Sequence, residues 1–169
     1  MKLNSIVMLL FVALLTACKG SAYDLSSYGL NPDTGENASP LMAKALQQIA
    51  AESNSDTVRI FLPKGRYDFY PTGASEREYF ISNHDQDNPK QVGLAFENMK
   101  NVVFDGQGSE LVFHGRMLPV SLVGSDNCTL KNFSIDFANP HISQVKVLEN
   151  DTLGGMITYE VAPWVEYEI

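Results

Sequence analysis

The stretch NVVFDGQGSELVFHG, residues 101–115, decides the fold of this chain. Two short runs of β-branched and aromatic residues flank four residues with turn chemistry, Asp105 to Gly108. A link of this length, rich in Gly and Asp, is typical of a β-hairpin, in which residues 102–104 pair antiparallel with residues 111–113. The alternative is a corner of a solenoid, whose two runs lie on different faces of one coil.

A repeat around this stretch favours the solenoid. Residues 94–106 (LAFENMKNVVFDG) match residues 120–132 (VSLVGSDNCTLKN) at an offset of 26 residues, and a weaker third copy covers residues 154–161. Short strands that recur at a fixed period with polar corners are typical of a right-handed parallel β-helix, in which each coil pairs with its neighbours. We therefore expect residues 102–104 to pair in parallel with residues 128–130. The offset matches these pairs: Leu94 with Val120, Phe96 with Leu122, Asn101 with Asn127, Val102 with Cys128, and Phe104 with Leu130.

One helix and two strands are predicted before the repeat. Ser39 and Pro40 are typical of a helix N-cap and a first-turn proline, and apolar residues at helical spacing predict a helix over residues 40–52. Residues 58–62 and 67–70 have the composition of strands on either side of a Pro-Lys-Gly turn. The pattern therefore predicts an all-β fold with one capping helix.

Only the first coils of a β-helix fit in this chain. About two coils are present, where stable repeat proteins need three or more, and the last ten residues (EVAPWVEYEI) bring no turn, cap or polar tail. We therefore expect residues 39–169 to be the N-terminal cap and first coils of a β-helix domain that continues in a longer protein.

The first residues predict export. Lys2 precedes a continuous apolar run, residues 6–15, that is too short for a permanent membrane span. The sequence LTAC at residues 15–18 resembles a bacterial lipobox, so residues 1–17 are interpreted as a lipoprotein signal peptide and Cys18 as the residue that carries the lipid. The alternative is an ordinary signal peptide that is cut before Cys18.

The lipid reading predicts the location of the protein and the role of the residues that follow. Residues 18–38 become the tether and N-terminal segment, and the acyl chains, palmitate among them, provide the only contact with a membrane. Lys19 and Gly20 do not suggest retention in the inner membrane. We therefore expect a protein anchored in the outer membrane, with its periplasmic or surface placement left open.

Charge and cysteine content exclude several partners. Residues 1–17 carry one charged side chain, Lys2, so its removal changes the net charge from -8 to -9. Such a chain is a poor ligand for nucleic acid or for acidic polymers, whereas neutral glycans remain possible partners. Because Cys18 is assigned to the lipid, Cys128 has no disulfide partner, and its strand-like context predicts a small core residue.

Four stretches carry a family resemblance: YDLSSYGLNPDTGENASP at 23–40, FLPKGRYDFYP at 61–71, DGQGSELVFHGRM at 105–117 and NFSIDFANPHISQ at 132–144. They resemble the pectate-lyase-like superfamily and, most closely, glycoside hydrolase family 110, the bacterial exo-acting α-1,3-galactosidases. The first two are also shared with other β-helix enzymes, so the family assignment depends on the last two. The resemblance implies hydrolysis of terminal α-1,3-linked galactose from glycans such as the blood group B determinant, with inversion and without a metal or other cofactor.

The resemblance also implies that the catalytic aspartates lie on later coils. No position of this sequence matches their motif, so no catalytic residue is assigned, and the chain alone is expected to be inactive. One polar cluster follows a predicted strand: Asp136, Asn139 and His141 in SIDFANPHIS. An acid, an amide and an imidazole are what a sugar-binding rim offers, and the alternative is a corner held by local hydrogen bonds.

Other polar and aromatic residues have simpler interpretations. Asp105 and Asp126 are expected to be turn formers beside glycine. His114 has no carboxylate or cysteine at ligand spacing, so no metal site is predicted. The aromatic residues near the end of the sequence are expected in the core of a further coil, with a sugar-stacking platform as the alternative: Tyr159, Trp164 and Tyr167.

Two other functions fit the same fold. A polysaccharide lyase or polygalacturonase would act on acidic polymers and would need cationic side chains or calcium ligands along its face, which an acidic chain makes less favourable. A non-catalytic, glycan-binding β-solenoid is the third possibility.

Overall fold

The computed structural model describes residues 20–52, 57–80, 88–139 and 144–165. Within these ranges the chain forms one α-helix, a short 3-10 helix (Leu25–Tyr28) and ten strands. The helix is α1 (Ser39–Glu52), and the strands are β1 (Ser21–Asp24), β2 (Val58–Phe61), β3 (Arg66–Phe69), β4 (Ser75–Arg77), β5 (Lys90–Glu97), β6 (Val102–Phe113), β7 (Leu118–Val123), β8 (Thr129–Phe137), β9 (Val145–Asp151) and β10 (Met156–Val161).

Most of the strand pairs are parallel. Strand β1 pairs with β2, both β2 and β3 pair with β6, β6 pairs with β8, and β5 pairs with β7, in every case in parallel. The antiparallel pairs are β4 with β5 and β9 with β10. The fold is therefore mostly β with one helix, as the sequence predicts, and its sheets are open.

The stretch that opened the sequence analysis does not form a hairpin. Both of its apolar runs lie in the single strand β6, and both pair in parallel with β8. Phe104 lies opposite Leu130, 26 residues later, whereas Phe113 lies opposite Phe137, 24 residues later. The register shifts at the corner after Asp105, where β6 has two more residues than β8. The predicted offset is confirmed up to the corner, and the hairpin alternative is wrong.

The same offset recurs between β5 and β7, where Leu94 lies opposite Val120. The third copy of the repeat is wrong, because residues 154–161 lie mainly in β10, which turns back onto β9 in an antiparallel hairpin. Asp151 favours this turn, since its Oδ1 accepts hydrogen bonds from the backbone N–H groups of Leu153 (3.0 Å) and Gly154 (2.9 Å).

Asparagine residues in the left-handed conformation hold the corners between strands. Asn101 and Asn127 have φ of 55° and 52°, and the side-chain N–H of Asn127 donates to Oδ1 of Asn101 over 2.7 Å. Asparagine tolerates this conformation better than most residues with a side chain. The two residues that the repeat matched by sequence are therefore bonded to each other, just before the paired strands β6 and β8.

Asp105 is a turn former, as predicted. Its Oδ1 accepts from the backbone N–H of Gln107 and from the side chain of Asn132, both over 2.9 Å. These donors, with Lys131 at 3.4 Å, hold the pKa of Asp105 below its ordinary value. Asp126 lies at the next corner, where its backbone N–H and C=O bond to Met99 and Asn101.

The core is a column of stacked side chains from successive strands. Phe69 stacks on Phe113 with ring centroids 4.9 Å apart, and Phe113 contacts Phe137 at 6.0 Å. Phe69 and Phe113 are fully buried. Parallel register places each ring over the equivalent ring of the next strand, so pairing and packing support each other. Cys128 is half-buried and packs against the buried hydrophobic core, as its sequence context predicts.

Helix α1 closes the core by packing against β5. Its buried face is Met42, Ala45, Leu46 and Ile49. The N-cap prediction for Ser39 is wrong. Its hydroxyl donates to the carbonyl of Tyr70 (2.7 Å) and accepts from the N–H of Tyr70 (3.1 Å), while the carbonyl of Ala38 accepts the first helical bond, from Met42. Ser39 thus joins the start of the helix to the end of β3.

Apolar side chains remain exposed at the opposite end. Leu122 of β7 and Ile135 of β8 are 50% and 43% exposed, because no described strand covers their side of the sheets. Tyr159 and Trp164 are also exposed, so the structure does not place them in the core, and Tyr167 lies outside the described residues. In the described ranges, no helix combines the length and the apolar character that crossing a membrane requires.

The corner asparagines generate a stability prediction. Asn127→Ala removes the bond to Asn101 and replaces asparagine, which tolerates the left-handed region, with alanine, which adopts it less readily, so we expect a loss of about 1–2 kcal/mol in the free energy of unfolding. Asn127→Gly is the matched control, because it loses the same bond but adopts the conformation freely and should lose less. Urea unfolding measures both. Equal stability of Asn127→Ala and the unsubstituted chain would contradict the role given to this corner.

Candidate functional site

The outer face of the β3–β6–β8 sheet carries a group of ionisable side chains that bond directly to one another. Tyr67 and Phe69 point into the core, so Asp68, between them on β3, points outward. In register, Asp68 lies opposite Val112 of β6, which lies opposite Asp136 of β8. Neighbouring strands are about 4.8 Å apart, so the two aspartates share this face at a backbone separation of about 10 Å.

Asp68 is held by two cationic or potentially cationic side chains. Arg66 donates to both carboxylate oxygens, at 2.9 and 3.2 Å, and Nε2 of His114 lies 2.8 Å from Oδ1. The guanidinium of Arg66 and then the His114 bond hold the pKa of Asp68 below its ordinary value, against the opposing effect of burial. Asp68 therefore stays ionised at neutral pH and is an acceptor rather than a proton donor.

His114 is fixed from a second side by an aromatic ring. Its imidazole stacks on Tyr70 with ring centroids 4.0 Å apart and an angle of 7° between the planes. The side chain is 25% exposed, so part of the ring faces solvent. Sequence reasoning missed this group, because Asp68 and His114 are 46 residues apart and the 26-residue repeat does not relate β3 to the end of β6, which His114 follows. Within the described residues, no three His, Cys, Asp or Glu side chains are grouped as metal ligands would be.

The predicted sugar-binding residues lie beside this group. Asp136 is exposed near the end of β8, inside the strand rather than at a corner, and its Oδ1 accepts from the N–H of Phe137 over 2.8 Å. Asn139 follows the strand and is half-buried. His141 lies outside the described residues. The structure thus adds that Asp136 shares its face with Asp68, while the binding role of all three remains a prediction.

A second polar group joins β4, β5 and β7. Arg77 bonds to both oxygens of Glu97, at 2.7 and 2.8 Å, and the hydroxyl of Tyr79 donates to Glu97 over 2.7 Å. The same hydroxyl lies 3.4 Å from that of Ser121. Bonding to Arg77 holds the pKa of Glu97 below its ordinary value. This carboxylate is occupied by its partners, so the group reads as a clamp that fixes β4 on the sheet.

A groove of about 270 Å³ lies between the 3-10 helix and α1, apart from both polar groups. Its lining contains no carboxylate and therefore lacks the acid pair on which glycoside hydrolysis depends. The lining residues are Ser27, Tyr28, Leu41, Lys44, Ala45 and Gln48.

The Asp68 group generates a pH prediction. Because the folded-state pKa of Asp68 is lowered from 3.8, its contribution to stability is present above about pH 4 and is lost as the pH falls through the folded value. Asp68→Asn should therefore cost about 1–2 kcal/mol at pH 7, and the difference from the unsubstituted chain should shrink below pH 4. Urea unfolding at a series of pH values measures this.

Glu36→Gln provides the control for that series, since it removes one negative charge from an exposed side chain. It should change stability little and without the same pH dependence. A difference for Asp68→Asn that stays constant down to pH 2 would contradict the ionised state assigned to Asp68.

Comparison with known proteins finds no matching family model but several similar sequences. The chain is 64% identical over 165 residues to alpha-1,3-galactosidase B of Parabacteroides distasonis. The aligned region covers 96% of this chain and 27% of that protein. It is 55% identical to a protein of the same name from Phocaeicola vulgatus, over all of this chain and 29% of the relative. It is also 58% identical to the protein of this name from Bacteroides fragilis, over 87% of this chain and 25% of the relative.

The chain therefore spans about a quarter of the length of the curated relatives it matches. The resemblance that the sequence motifs carry is confirmed: over most of its length this chain is similar to proteins named alpha-1,3-galactosidase B, as expected for the N-terminal portion of a bacterial α-1,3-galactosidase of glycoside hydrolase family 110.

Proposed function

We propose that this chain is part of an exo-acting glycoside hydrolase that removes terminal α-1,3-linked galactose from glycans, such as blood group B determinants, with inversion of configuration. The observation that carries the proposal is the identity of 64% over nearly the whole chain to a protein named alpha-1,3-galactosidase B. The names of the relatives favour this function over a lyase or a non-catalytic solenoid. Because the chain spans about a quarter of those relatives, the activity is proposed for the full-length protein.

The architecture proposed for that protein is a right-handed parallel β-helix, of which residues 39–169 form the cap and first coils. The 26-residue register, the stacked core rings and the bonded corner asparagines all support successive coils in parallel. The half-exposed Leu122 and Ile135 mark the side on which the next coil would pack. Covering them would bury apolar surface at roughly 25 cal/mol per Å².

Inverting hydrolysis needs two carboxyl groups about 6.5–9.5 Å apart, one of which carries a proton. Asp68 and Glu97 are poor candidates for the acid, because arginine partners lower the pKa of each and occupy their oxygens. We therefore place the catalytic pair on later coils. In this arrangement the present chain contributes to sugar binding, with Asp136 accepting a hydrogen bond from a sugar hydroxyl and Asn139 and His141 bonding nearby.

Export and anchoring are proposed on the sequence motif alone. Residues 1–17 serve as the signal peptide, and Cys18 carries the lipid that holds the protein at the outer membrane. The glycan is then met by an enzyme that its lipid holds at the membrane.

The full-length protein should release galactose from a linear α-1,3-galactobiose, whereas residues 1–169 alone should release none. Inversion predicts β-galactose as the first product, because the C1 configuration reverses in a single displacement. Proton NMR of the anomeric signals during the first minutes measures both. Initial formation of α-galactose would overturn the inverting mechanism, and unsaturated uronate products from an acidic polymer would overturn the galactosidase proposal.

In the full-length enzyme, Asp136→Ala should raise KM about tenfold with little change in kcat, because a lost ground-state hydrogen bond is worth about 1.4 kcal/mol. Asp126→Ala is the matched control, since it also replaces an exposed aspartate with alanine but does so at a corner outside the proposed binding site. Steady-state kinetics on the disaccharide separates the two. An unchanged KM for Asp136→Ala would remove this residue from the binding site.

A further inference from the structure

The first strand begins very close to the proposed lipid. Strand β1 starts at Ser21, three residues after Cys18, and each of its four residues pairs in parallel with β2. Strand β1 is also the edge of its sheet, whose order is β1-β2-β6-β3, with β8 on the far side of β6. The sheet therefore starts almost immediately after the anchor.

Gly20 lies close against the sheet even before β1 begins. A Cβ at this position would lie 2.7 Å from the carbonyl oxygen of Thr57 and 2.7 Å from a guanidinium nitrogen of Arg59. Such a close approach to a backbone atom leaves no room for a side chain. In sequence, only Lys19 separates this docked glycine from Cys18. Two residue steps reach at most about 7 Å, far less than a flexible tether would allow.

Arg59, which lies beside Gly20 at this end of the sheet, carries a positive charge that can bind the phosphate of a lipid headgroup. It is exposed, and no carboxylate of the described residues forms an ion pair with it. A guanidinium binds a phosphate oxygen pair in a fork geometry. The net charge of the mature chain is -9, so contact with a phosphate-bearing surface is favoured at such a local cation rather than over the whole protein.

We propose that the anchor is a short strap that places the β1 edge and Arg59 against the headgroups of the bilayer, with β2, β6 and β8 stacked progressively away from it. The inference rests on the proposed lipid at Cys18. Three strand spacings put β8 about 14 Å farther from the membrane than β1. The coils that follow, and the glycan-binding face with them, would then project outward, where large glycans meet no obstruction from the bilayer.

Quenching by a nitroxide on the lipid headgroups tests this orientation. The full-length lipoprotein is inserted into vesicles in a Cys128→Ser background, with a fluorophore on either Ala22→Cys of β1 or Ser134→Cys of β8. The Cys18 sulfur is blocked by its lipid. We expect quenching to be several-fold stronger at position 22 than at position 134. Equal quenching at the two positions would overturn the inference.

A spacer provides the control for tether length. Ten Gly and Ser residues inserted between Lys19 and Gly20 extend the typical reach to roughly 17 Å, so the difference between the two positions should largely disappear. Arg59→Gln should weaken quenching at position 22. If the difference in quenching between positions 22 and 134 is unchanged by the spacer or by Arg59→Gln, another surface sets the orientation. That result would contradict the strap.

Mass spectrometry of the N-terminal peptide shows whether Cys18 carries a lipid. This result distinguishes failure of the strap from failure of the anchor on which the strap depends. If Cys18 carries no lipid, the anchor and the strap are both wrong. If Cys18 carries its lipid and the two probes are quenched equally, the anchor stands and the strap alone is wrong.

Discussion

The structure depends on one constraint: its parallel strands must bond to partners far along the chain, about 26 residues away for β5 with β7 and for the first part of β6 with β8. Parallel strands cannot be joined by a tight turn, so the chain has to travel a full circuit between partners. The left-handed asparagines at 101 and 127 make that circuit possible at one corner and bond to each other there. Once the register is set, the rings of Phe113 and Phe137 meet without further adjustment.

The same register organises the outer face. Because side chains alternate along a strand, fixing Phe69 and Phe113 in the core directs Asp68 and His114 outward to meet each other. A carboxylate in this position is expensive to desolvate, and Arg66 offsets that cost. The polar face near Asp136 is therefore a product of the packing inside.

Elements with a strong local signal could be predicted from the sequence. The helical stripe of α1, the strands β2 and β3 and the repeat offset all follow from spacing within a few tens of residues. The contact between Asp68 and His114 could not be predicted. It depends on the pairing of β3 with β6, whose partners are 44 residues apart in the sequence, and no repeat indicates that pairing. The β9–β10 hairpin was missed although Gly154 and Gly155 signal a turn, because alternating apolar residues look alike in parallel and antiparallel strands.

The exposed edge of β8 has a consequence for biosynthesis. Within the described residues no strand pairs with the side of β8 away from β6, so this edge, beside the half-exposed Ile135, can act as a template for an extended peptide. A solenoid made from its N-terminal end presents such an edge at every stage of its growth, so aggregation competes with each added turn. In the longer, exported protein proposed above, rapid delivery of the next segment, or a chaperone that shields the edge during translocation, would then decide how much of the protein matures.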